Sequence, residues 1–197
     1  MDEDPTEWER WTAVSPVPPA AGNLLVATSV LGDRHFARTV IYLLEHHAEG
    51  TLGVVLNRPS TTSVGEVLPQ WRDVVSGPAV LFEGGPVQPD GALCLGAVEG
   101  SEGGVRPLHD GVASIDLDGD PGDVIGLATA LRVFAGYAGW SAGQLDGELE
   151  QGAWWVVPGT LRDLFSDVPQ TLWSRVLRRQ PPPLSYMSTY PADPSRN

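Results

Sequence analysis

A carboxylate and two imidazoles stand side by side at Glu45, His46 and His47, within the stretch LLEHHAEGTLGVVLNRPS (43–60). Pairs of a carboxylate and an imidazole serve many enzymes as general acid and base. Neighbouring side chains of a regular strand point to opposite faces, so Glu45 and His46 would diverge, whereas Glu45 and His47 would share a face. The sequence places no nucleophile at a fixed spacing from them. The polar end of a β-hairpin is therefore the favoured interpretation, and no catalytic residue is predicted.

A second polar pair, Asn57 and Arg58, follows the next apolar run and lies at a strand end of the same hairpin. The guanidinium fork of arginine can clamp a carboxylate or a phosphate through two parallel hydrogen bonds. An ion pair with an acidic neighbour in the chain is an equally good interpretation. Both interpretations stay open, and Arg58 is the first choice for a ligand contact.

Two segments are rich in glycine, GGPVQPDG (84–91) and GYAGW (136–140). Neither has the spacing of a phosphate-binding P-loop or of a dinucleotide fingerprint. The glycines more simply permit a tight turn at Gly84 and Gly85, and a close backbone approach or a strand bend at Gly136 and Gly139. No cofactor is predicted from these segments.

Ser141 is predicted to begin a helix directly after the second glycine segment, because Ser141 and Gln144 have the spacing of a capping box. Helix N-termini attract anions, which keeps a small-anion site open, with Tyr137 and Trp140 as its aromatic walls. The alternative is that both aromatic side chains belong to the core. The possible rim of a ligand site comprises Glu45, His46, Asn57, Arg58, Gly84, Gly85, Pro86, Tyr137, Trp140 and Ser141.

Acidic residues alternate in DLDGDPGD (116–123), as they do in a calcium-binding loop. An EF-hand loop requires glycine at its sixth position and glutamate at its twelfth, and here those positions hold Pro121 and Leu127. A solvated acidic turn is predicted instead, and no metal site. The single cysteine, Cys94, stands between two leucines without a basic neighbour, which predicts a buried and unreactive thiol.

Charge and composition narrow the classes of function. The formal net charge is −13, with 25 acidic and 12 basic residues, and every basic residue is an arginine. Because such a chain repels phosphate backbones, direct nucleic-acid binding is disfavoured, and another protein is the favoured partner. The chain lacks an apolar run of the ~20 residues that span a membrane, so no membrane contact is expected. The single cysteine and the acidic start MDEDPTEWER, unlike a secretory signal, favour the cytoplasm.

The elements that must position these residues follow from hydrophobic patterns and turn residues. Strands are predicted at 23–30, 37–46, 51–59, 79–85, 92–98, 111–118, 132–140 and 153–159, and helices at 63–71, 141–149 and 167–180. Pro59 cannot extend a ladder and is expected to close the third strand. A single domain (22–180) is predicted between a mobile arm (1–21) and a proline-rich tail without regular structure (181–197). Strands lead and helices gather late, which is typical of the α+β class with a mostly antiparallel sheet.

Six segments follow one another in the order and spacing typical of the AlgH/YqgE family of bacterial proteins: GNLLVAT, FARTVIYLLEH, GTLGVVLNRP, EGGPVQP, FAGYAGWSAGQLDGEL and AWWVVP. The chain resembles that family over residues 20–180. The resemblance implies a compact α+β fold whose bent sheet forms a barrel-like core with a few helices packed on it. It implies no established catalytic activity, and members are sometimes labelled transcriptional regulators. The family commonly has cysteine where Leu44 stands and asparagine where His47 stands, so thiol chemistry at the first position is excluded here.

Two functions follow as hypotheses. The first is a non-enzymatic regulatory or protein-interaction module, whose effect on transcription would be indirect and run through a partner. The alternative is a protein or enzyme that binds a small ligand, such as an anion or a nucleotide, in a cleft near Glu45, His46, Asn57 and Arg58. The hairpin is expected to make these four residues near neighbours, and the cleft further requires that the turns at 84–86 and 136–140 converge on them.

Overall fold

A computed structural model describes residues 15–28, 36–99 and 104–190. The strands in these ranges are β1 Asn23–Ala27, β2 Val40–His47, β3 Gly50–Val55, β4 Pro59–Ser63, β5 Val80–Glu83, β6 Val87–Val98, β7 Val105–His109, β8 Val112–Ile115, β9 Ala128–Ser141 and β10 Trp154–Pro158. The α-helices are α1 Val64–Val67, α2 Gln144–Glu150, α3 Leu161–Leu164, α4 Leu172–Arg178 and α5 Leu184–Met187. Single 3₁₀ turns lie at Pro69–Trp71, Pro121–Asp123 and Pro169–Thr171.

The strands form one sheet in the order β10, β1, β2, β3, β9, β6, β8, β7, with β4 and β5 beside that path. Pairings along this order are antiparallel, whereas β5 runs parallel to β9. The sheet curls into a half-barrel with a few short helices. The predicted α+β class with a mostly antiparallel, bent sheet is therefore confirmed. No helix in the described ranges is long and apolar enough to cross a membrane.

Strand β2 is buried on both faces, as its unbroken apolar run predicts. Tyr42 packs into one hydrophobic cluster together with Val54 of β3 and the apolar stripe of α4. Ile41 and Val55 pack into a second cluster on the opposite face. The middle of the sheet is thus sandwiched, and apolar side chains on either face hold β2, β3 and β9 in place.

A fully buried arginine ties the helical segment after β10 to the sheet. Arg132 of β9 is 1% exposed, and its guanidinium donates hydrogen bonds to the carbonyl oxygens of Leu164 (2.8 Å), Ser166 (2.8 Å) and Gly77 (3.0 Å). The same group lies 4.2 Å from the centre of the Phe82 ring. Burial lowers the pKa of Arg132 to about 10. The three carbonyl oxygens and the aromatic ring compensate this charge.

The structure corrects the prediction that Pro59 closes the third strand. β3 ends at Val55, and Pro59 begins β4, which pairs with β5. Proline is tolerated as the first residue of a strand because no ladder hydrogen bond is then required of it. β4 is short and polar, and β7 is short with a central proline, Pro107, so neither carries the apolar alternation from which a strand is predicted.

The helix expected to begin at Ser141 begins later. β9 continues through Ser141, and α2 starts at Gln144 after Gly143, whose φ is +69°. Ser141 and Gln144 do interact as the capping pattern suggests, since the backbone N–H of Ser141 donates to Gln144 Oε1 at 3.1 Å. That contact closes the turn between β9 and α2 instead of capping a helix at Ser141.

The ends of the domain differ in part from the prediction. Residues 1–14 of the predicted arm lie outside the described residues, and from Ser15 the chain runs beside β10, where the Ser15 hydroxyl accepts a 2.9 Å hydrogen bond from the N–H of Val156. The prediction of a tail without regular structure is wrong over Leu184–Met187, which form the single turn α5. Leu184 is buried in the hydrophobic cluster that contains Tyr42, which we call the main core cluster, and this burial accounts for the turn.

Candidate functional site

The two glycine segments meet at the middle of β9. A Cβ atom on Gly84 would lie 2.2 Å from the carbonyl oxygen of Gly136, and one on Gly85 would lie 2.2 Å from the carbonyl carbon of Tyr137. The N–H of Gly84 also donates to the carbonyl oxygen of Ala135 at 2.8 Å. The close backbone approach predicted at Gly136 is therefore present, and it brings the turn at 84–86 against β9, whereas a Cβ on Gly139 would meet its nearest atom at an ordinary 3.5 Å.

The rim residues at the tip of the hairpin are divided between the two faces of the sheet. His46 pairs with Thr51 and Thr51 with Trp140, which puts these three residues in one cross-strand row. His46 Nδ1 lies 2.7 Å from Thr51 Oγ1. The neighbouring row, on the opposite face, contains Glu45 and Leu52. A bulge at Leu44 shifts the register at this point, and it fixes which face each side chain takes.

Glu45 and His47 are exposed at the hairpin tip, 3.8 Å apart from His47 Nε2 to Glu45 Oε2. They share a face, as strand alternation predicts. Both side chains are more than a third exposed, so water screens their interaction. Such a pair contributes at most a few tenths of a kcal/mol to the free energy of unfolding. The geometry is that of a polar hairpin end.

Asn57 and Arg58 do not join Glu45 and His46. Leu52, the cross-strand partner of Glu45, precedes Asn57 by five residues, which is about 17 Å along a strand. The expectation that the hairpin makes all four residues near neighbours is therefore wrong, because antiparallel pairing sends the two polar pairs to opposite ends of it.

Asn57 and Arg58 instead fasten the segment that leads into β2. The Asn57 side chain accepts a 2.9 Å hydrogen bond from the N–H of Val40 and donates one of 2.8 Å to the carbonyl oxygen of Arg38. Arg58 Nη2 donates to the carbonyl oxygen of Ala37 at 3.2 Å. Both ends of the Asn57 amide are thus engaged, and its role is structural.

A groove with aromatic walls lies on the face of β9 that carries Trp140, between this strand, α2 and β10. We call it the aromatic groove. Its volume is about 340 Å³. The lining residues are Phe36, Pro86, Ala138, Gly139, Trp140, Gln144, Glu148 and Trp154. Pro86 and Trp140 are the members of the predicted rim that the structure brings together here.

A single carboxylate organises the aromatic groove. Glu148 Oε2 accepts hydrogen bonds from the indole nitrogens of Trp140 (2.9 Å) and Trp154 (2.8 Å). Glu148 Oε1 accepts a third, from the side-chain amide of Gln144 at 3.1 Å. Gln144 and Glu148 are four residues apart, so α2 presents both on one face. Leu145 of the same helix is buried in the cluster behind the groove.

The three aromatic rings of the groove are held at fixed angles to one another. Trp154 packs edge-to-face against Phe36, with ring centres 5.8 Å apart, and against Trp140, with ring centres 6.2 Å apart. The carbonyl oxygen of Phe36 accepts hydrogen bonds from both the N–H and the hydroxyl of Thr39. The walls are consequently preorganised by hydrogen bonds as well as by packing.

A second groove, the tyrosine groove, lies on the other side of β9. Its volume is about 340 Å³, and its lining residues are Leu52, Gln88, Gly91, Ala92, Leu93, Gly136 and Tyr137. Leu52, Leu93 and Tyr137 pack against the main core cluster, whereas Trp140 belongs to the cluster of the opposite face. The predicted aromatic walls, Tyr137 and Trp140, therefore line two different grooves.

The reactive groups named from the sequence occupy structural positions. Cys94 is buried, and burial raises the pKa of its thiol to about 12, which keeps it protonated at neutral pH. In the acidic turn, Asp116 and Asp120 accept hydrogen bonds from backbone N–H groups two residues on. The described ranges hold no cluster of three or more His, Cys, Asp or Glu side chains suited to a metal ion.

Glu148, Trp154 and Phe36 were not singled out from the sequence. A signal for Glu148 was present, since Gln144 and Glu148 have the four-residue spacing of side chains that meet on a helix. Trp154 and Phe36 carried no comparable signal, because each reaches the groove only through pairing of distant strands. The groove is therefore a product of the tertiary fold.

Comparisons with known proteins agree on one family. The family described as AlgH-like matches residues 24–185. A UPF0301 protein of Mycobacteroides abscessus is 45% identical over 99% of this chain and 98% of its own length. The crystal structure of protein DIP2367 from Corynebacterium diphtheriae covers 92% of this chain and 97% of its own, with a TM-score of 0.84 and 33% identity. The solution structure of AlgH from Pseudomonas aeruginosa covers 97% and 98%, with a TM-score of 0.65 and 28% identity.

Proposed function

The chain belongs to the AlgH-like family, and we propose that it is a non-enzymatic interaction module whose partner is another protein. The observation that carries this proposal is the aromatic groove, which is lined by two indoles, a phenyl ring and one carboxylate that accepts hydrogen bonds from both indoles. Aromatic side chains are enriched at protein interfaces and dominate their binding energy. The described lining residues offer groups for recognition, and they do not include a nucleophile with an adjacent base.

The charge of the chain indicates what kind of partner fits. A net charge of −13 favours association with a basic surface and opposes association with a phosphate backbone. Any role in transcription is therefore proposed to be indirect, through a basic partner protein. The cytoplasm is the proposed location, because a buried, unpaired thiol at Cys94 suits a reducing compartment.

Site-specific photo-cross-linking in the native cell tests the proposal. Amine-reactive cross-linkers have little to react with on this chain, because it contains no lysine. The photoreactive residue p-benzoylphenylalanine is therefore placed at Ala142, an exposed position in the turn between β9 and α2, and as a control at Thr171, an exposed position at the start of α4.

The expected result is one reproducible protein adduct from the Ala142 position, with the cross-linked peptide lying in a basic segment of the partner. The Thr171 position should give no such adduct. Absence of an adduct from Ala142, or the same proteins captured from both positions, would overturn the proposed interaction module.

A small-ligand function is the second candidate, and the size of the aromatic groove favours it. About 340 Å³ falls within the range of small-molecule sites, roughly 300–1,000 Å³. The alternative hypothesis assumed an anion or a nucleotide as the ligand, in a cleft near Glu45, His46, Asn57 and Arg58. The aromatic groove disfavours both ligands, because the Glu148 carboxylate in its wall would repel their negative charge. A thermal-shift screen of nucleotides, organic acids and organic amines tests this candidate, since a ligand at 100 times its Kd stabilises the fold by about 2.7 kcal/mol.

A further inference from the structure

We infer that the aromatic groove binds the cationic end of an arginine or lysine side chain presented by the partner protein. The chemical class of the bound group follows from the groove itself, and its source in a protein rests on the proposed function. The feature that points to a cation is the juxtaposition of the Glu148 carboxylate with the rings of Phe36, Trp140 and Trp154.

The Glu148 carboxylate carries a charge that its described neighbours do not neutralise. Its hydrogen-bond donors are two indole N–H groups and one amide, and all three are neutral. None of the described residues that line the aromatic groove is basic, and Glu148 has no ion-pair partner among the residues that the structure describes. An ionised carboxylate offers about four acceptor positions. With two donors on Oε2 and one on Oε1, a position on Oε1 remains for a cationic donor.

The aromatic walls favour the same class of ligand. Ammonium and guanidinium groups are attracted to the faces of aromatic rings, most strongly to tryptophan. Trp140 and Trp154 are already fixed by their hydrogen bonds to Glu148 and by their edge-to-face contact. Little conformational entropy is then lost when a ligand enters, which favours binding to a preformed site.

Charge complementarity selects the occupant. A phosphate or a carboxylate would meet the negative charge of Glu148, and a divalent metal would find one carboxylate among the described lining residues, fewer than its usual set of oxygen ligands requires. A protonated side chain can both pair with the carboxylate and contact the faces of the aromatic rings. The overall charge of −13 favours approach of a basic segment, so a basic side chain of a partner fits the groove and its surroundings together.

The inference is tested with the whole ¹⁵N-labelled protein by following its indole N–H signals in NMR titrations. The chain has seven tryptophans, and the signals of Trp140 and Trp154 are assigned from Trp140→Phe and Trp154→Phe. The probes are the N-acetyl amides of arginine and lysine. The N-acetyl amide of citrulline, which has the shape of arginine but no charge, is the control ligand.

Saturable shifts confined to the indole signals of Trp140 and Trp154 are expected with the cationic probes, at millimolar Kd because a single side chain makes few contacts. The citrulline probe should bind at least about fivefold more weakly than the arginine probe, because it lacks the charge that forms a partly screened ion pair with Glu148. Glu148→Gln should weaken arginine binding by a similar factor of about fivefold or more while retaining an acceptor for the indoles. Glu150→Gln removes an equal charge from an exposed position of the same helix and should leave the Kd unchanged.

Equal binding of citrulline and arginine, no shift with either cationic probe, or equal effects of Glu148→Gln and Glu150→Gln would overturn the inference. A protein adduct at Ala142 that persists in Glu148→Gln would contradict the cation but leave the interaction module intact. Arginine binding that depends on Glu148, without any adduct at Ala142, would support the cation site and refute the partner protein as its source.

Discussion

The indole nitrogen of Trp140 donates a 2.9 Å hydrogen bond to the carboxylate of Glu148, although one residue lies near the end of β9 and the other in α2. The same carboxylate oxygen accepts the indole N–H of Trp154, whose side chain is almost completely buried. Helix α2, strand β9 and strand β10 are thereby joined at one atom. A buried donor that loses its acceptor costs more than the hydrogen bond contributed, so Glu148 is expected to matter for stability as well as for recognition.

Glu148→Ala is expected to lower the free energy of unfolding by about 2–3 kcal/mol, because two indole N–H groups lose their acceptor. Glu148→Gln keeps an oxygen at that place and is expected to cost about 1 kcal/mol or less. Urea unfolding at pH 7 measures both values. If the two variants are equally stable, the indole hydrogen bonds do not hold the groove together.

Arg132→Met is expected to destabilise the protein by about 3 kcal/mol or more, because the carbonyl oxygens of Leu164, Ser166 and Gly77 lose their donors, the first two in buried hydrogen bonds, while the volume of the side chain is nearly kept. Arg178→Met is the matched control, since Arg178 is exposed in the last turn of α4 and should change stability by at most about 0.5 kcal/mol. Chemical denaturation of both variants measures the difference. A loss for Arg132→Met no larger than that of the control would mean that the carbonyl contacts are not needed.

The sequence was sufficient to predict the elements that carry a strong apolar pattern. Continuous burial of β2 and the antiparallel hairpin with β3 follow from the apolar runs on either side of His47. The short strands β4 and β7 lack that pattern, because they lie beside or at the edge of the main sheet order and face solvent in part. Periodicity detects burial, and these strands are held by pairing more than by burial.

The candidate site could be predicted only in part, since register and long-range pairing decide it. The sequence does not show whether the Asn57 side chain binds a ligand or the backbone. Only the fold brings the backbone of Arg38 and Val40 within its reach. Trp140 was identified as a possible wall, but its partner Trp154 lies in a strand four positions away in the sheet order, with β1, β2 and β3 between β9 and β10. A single sequence contains no signal for such a meeting.

His109 is expected to make the protein less stable in mild acid. Its ring stacks on Tyr42 with centres 5.5 Å apart, and both ring nitrogens are buried without a hydrogen-bond partner. Burial lowers the pKa of His109 below its ordinary value of 6.5, although the Asp110 carboxylate acts in the opposite direction. The unfolded chain then binds the proton more readily than the folded one. Stability is therefore fully present above pH 6.5 and falls as the pH drops through and below that value.

His109→Phe retains an aromatic ring against Tyr42 and removes the titrating group. Urea unfolding of both proteins between pH 8 and pH 5 should give a steeper loss of stability for the wild type, about 1.4 kcal/mol for each factor of ten by which folding weakens proton binding to the imidazole. All other side chains are the same in the two proteins, so the difference between the two curves reports the loss of the imidazole and of its interaction with Asp110. Parallel curves would mean that the imidazole is not desolvated enough to affect folding.

Gly85→Ala is expected to destabilise the fold by more than about 2 kcal/mol, because the new Cβ would lie 2.2 Å from the carbonyl carbon of Tyr137 at a φ of +152°. The clash is with the backbone of β9, which is paired on both sides and cannot move away cheaply. Gly147→Ala in α2 is the opposite case, since a Cβ there meets open space and should stabilise the helix by about 0.5–1 kcal/mol. Urea midpoints that move in opposite directions for the two variants would establish that the turn at 84–86 is locked against β9, whereas a neutral Gly85→Ala would show that this contact is loose.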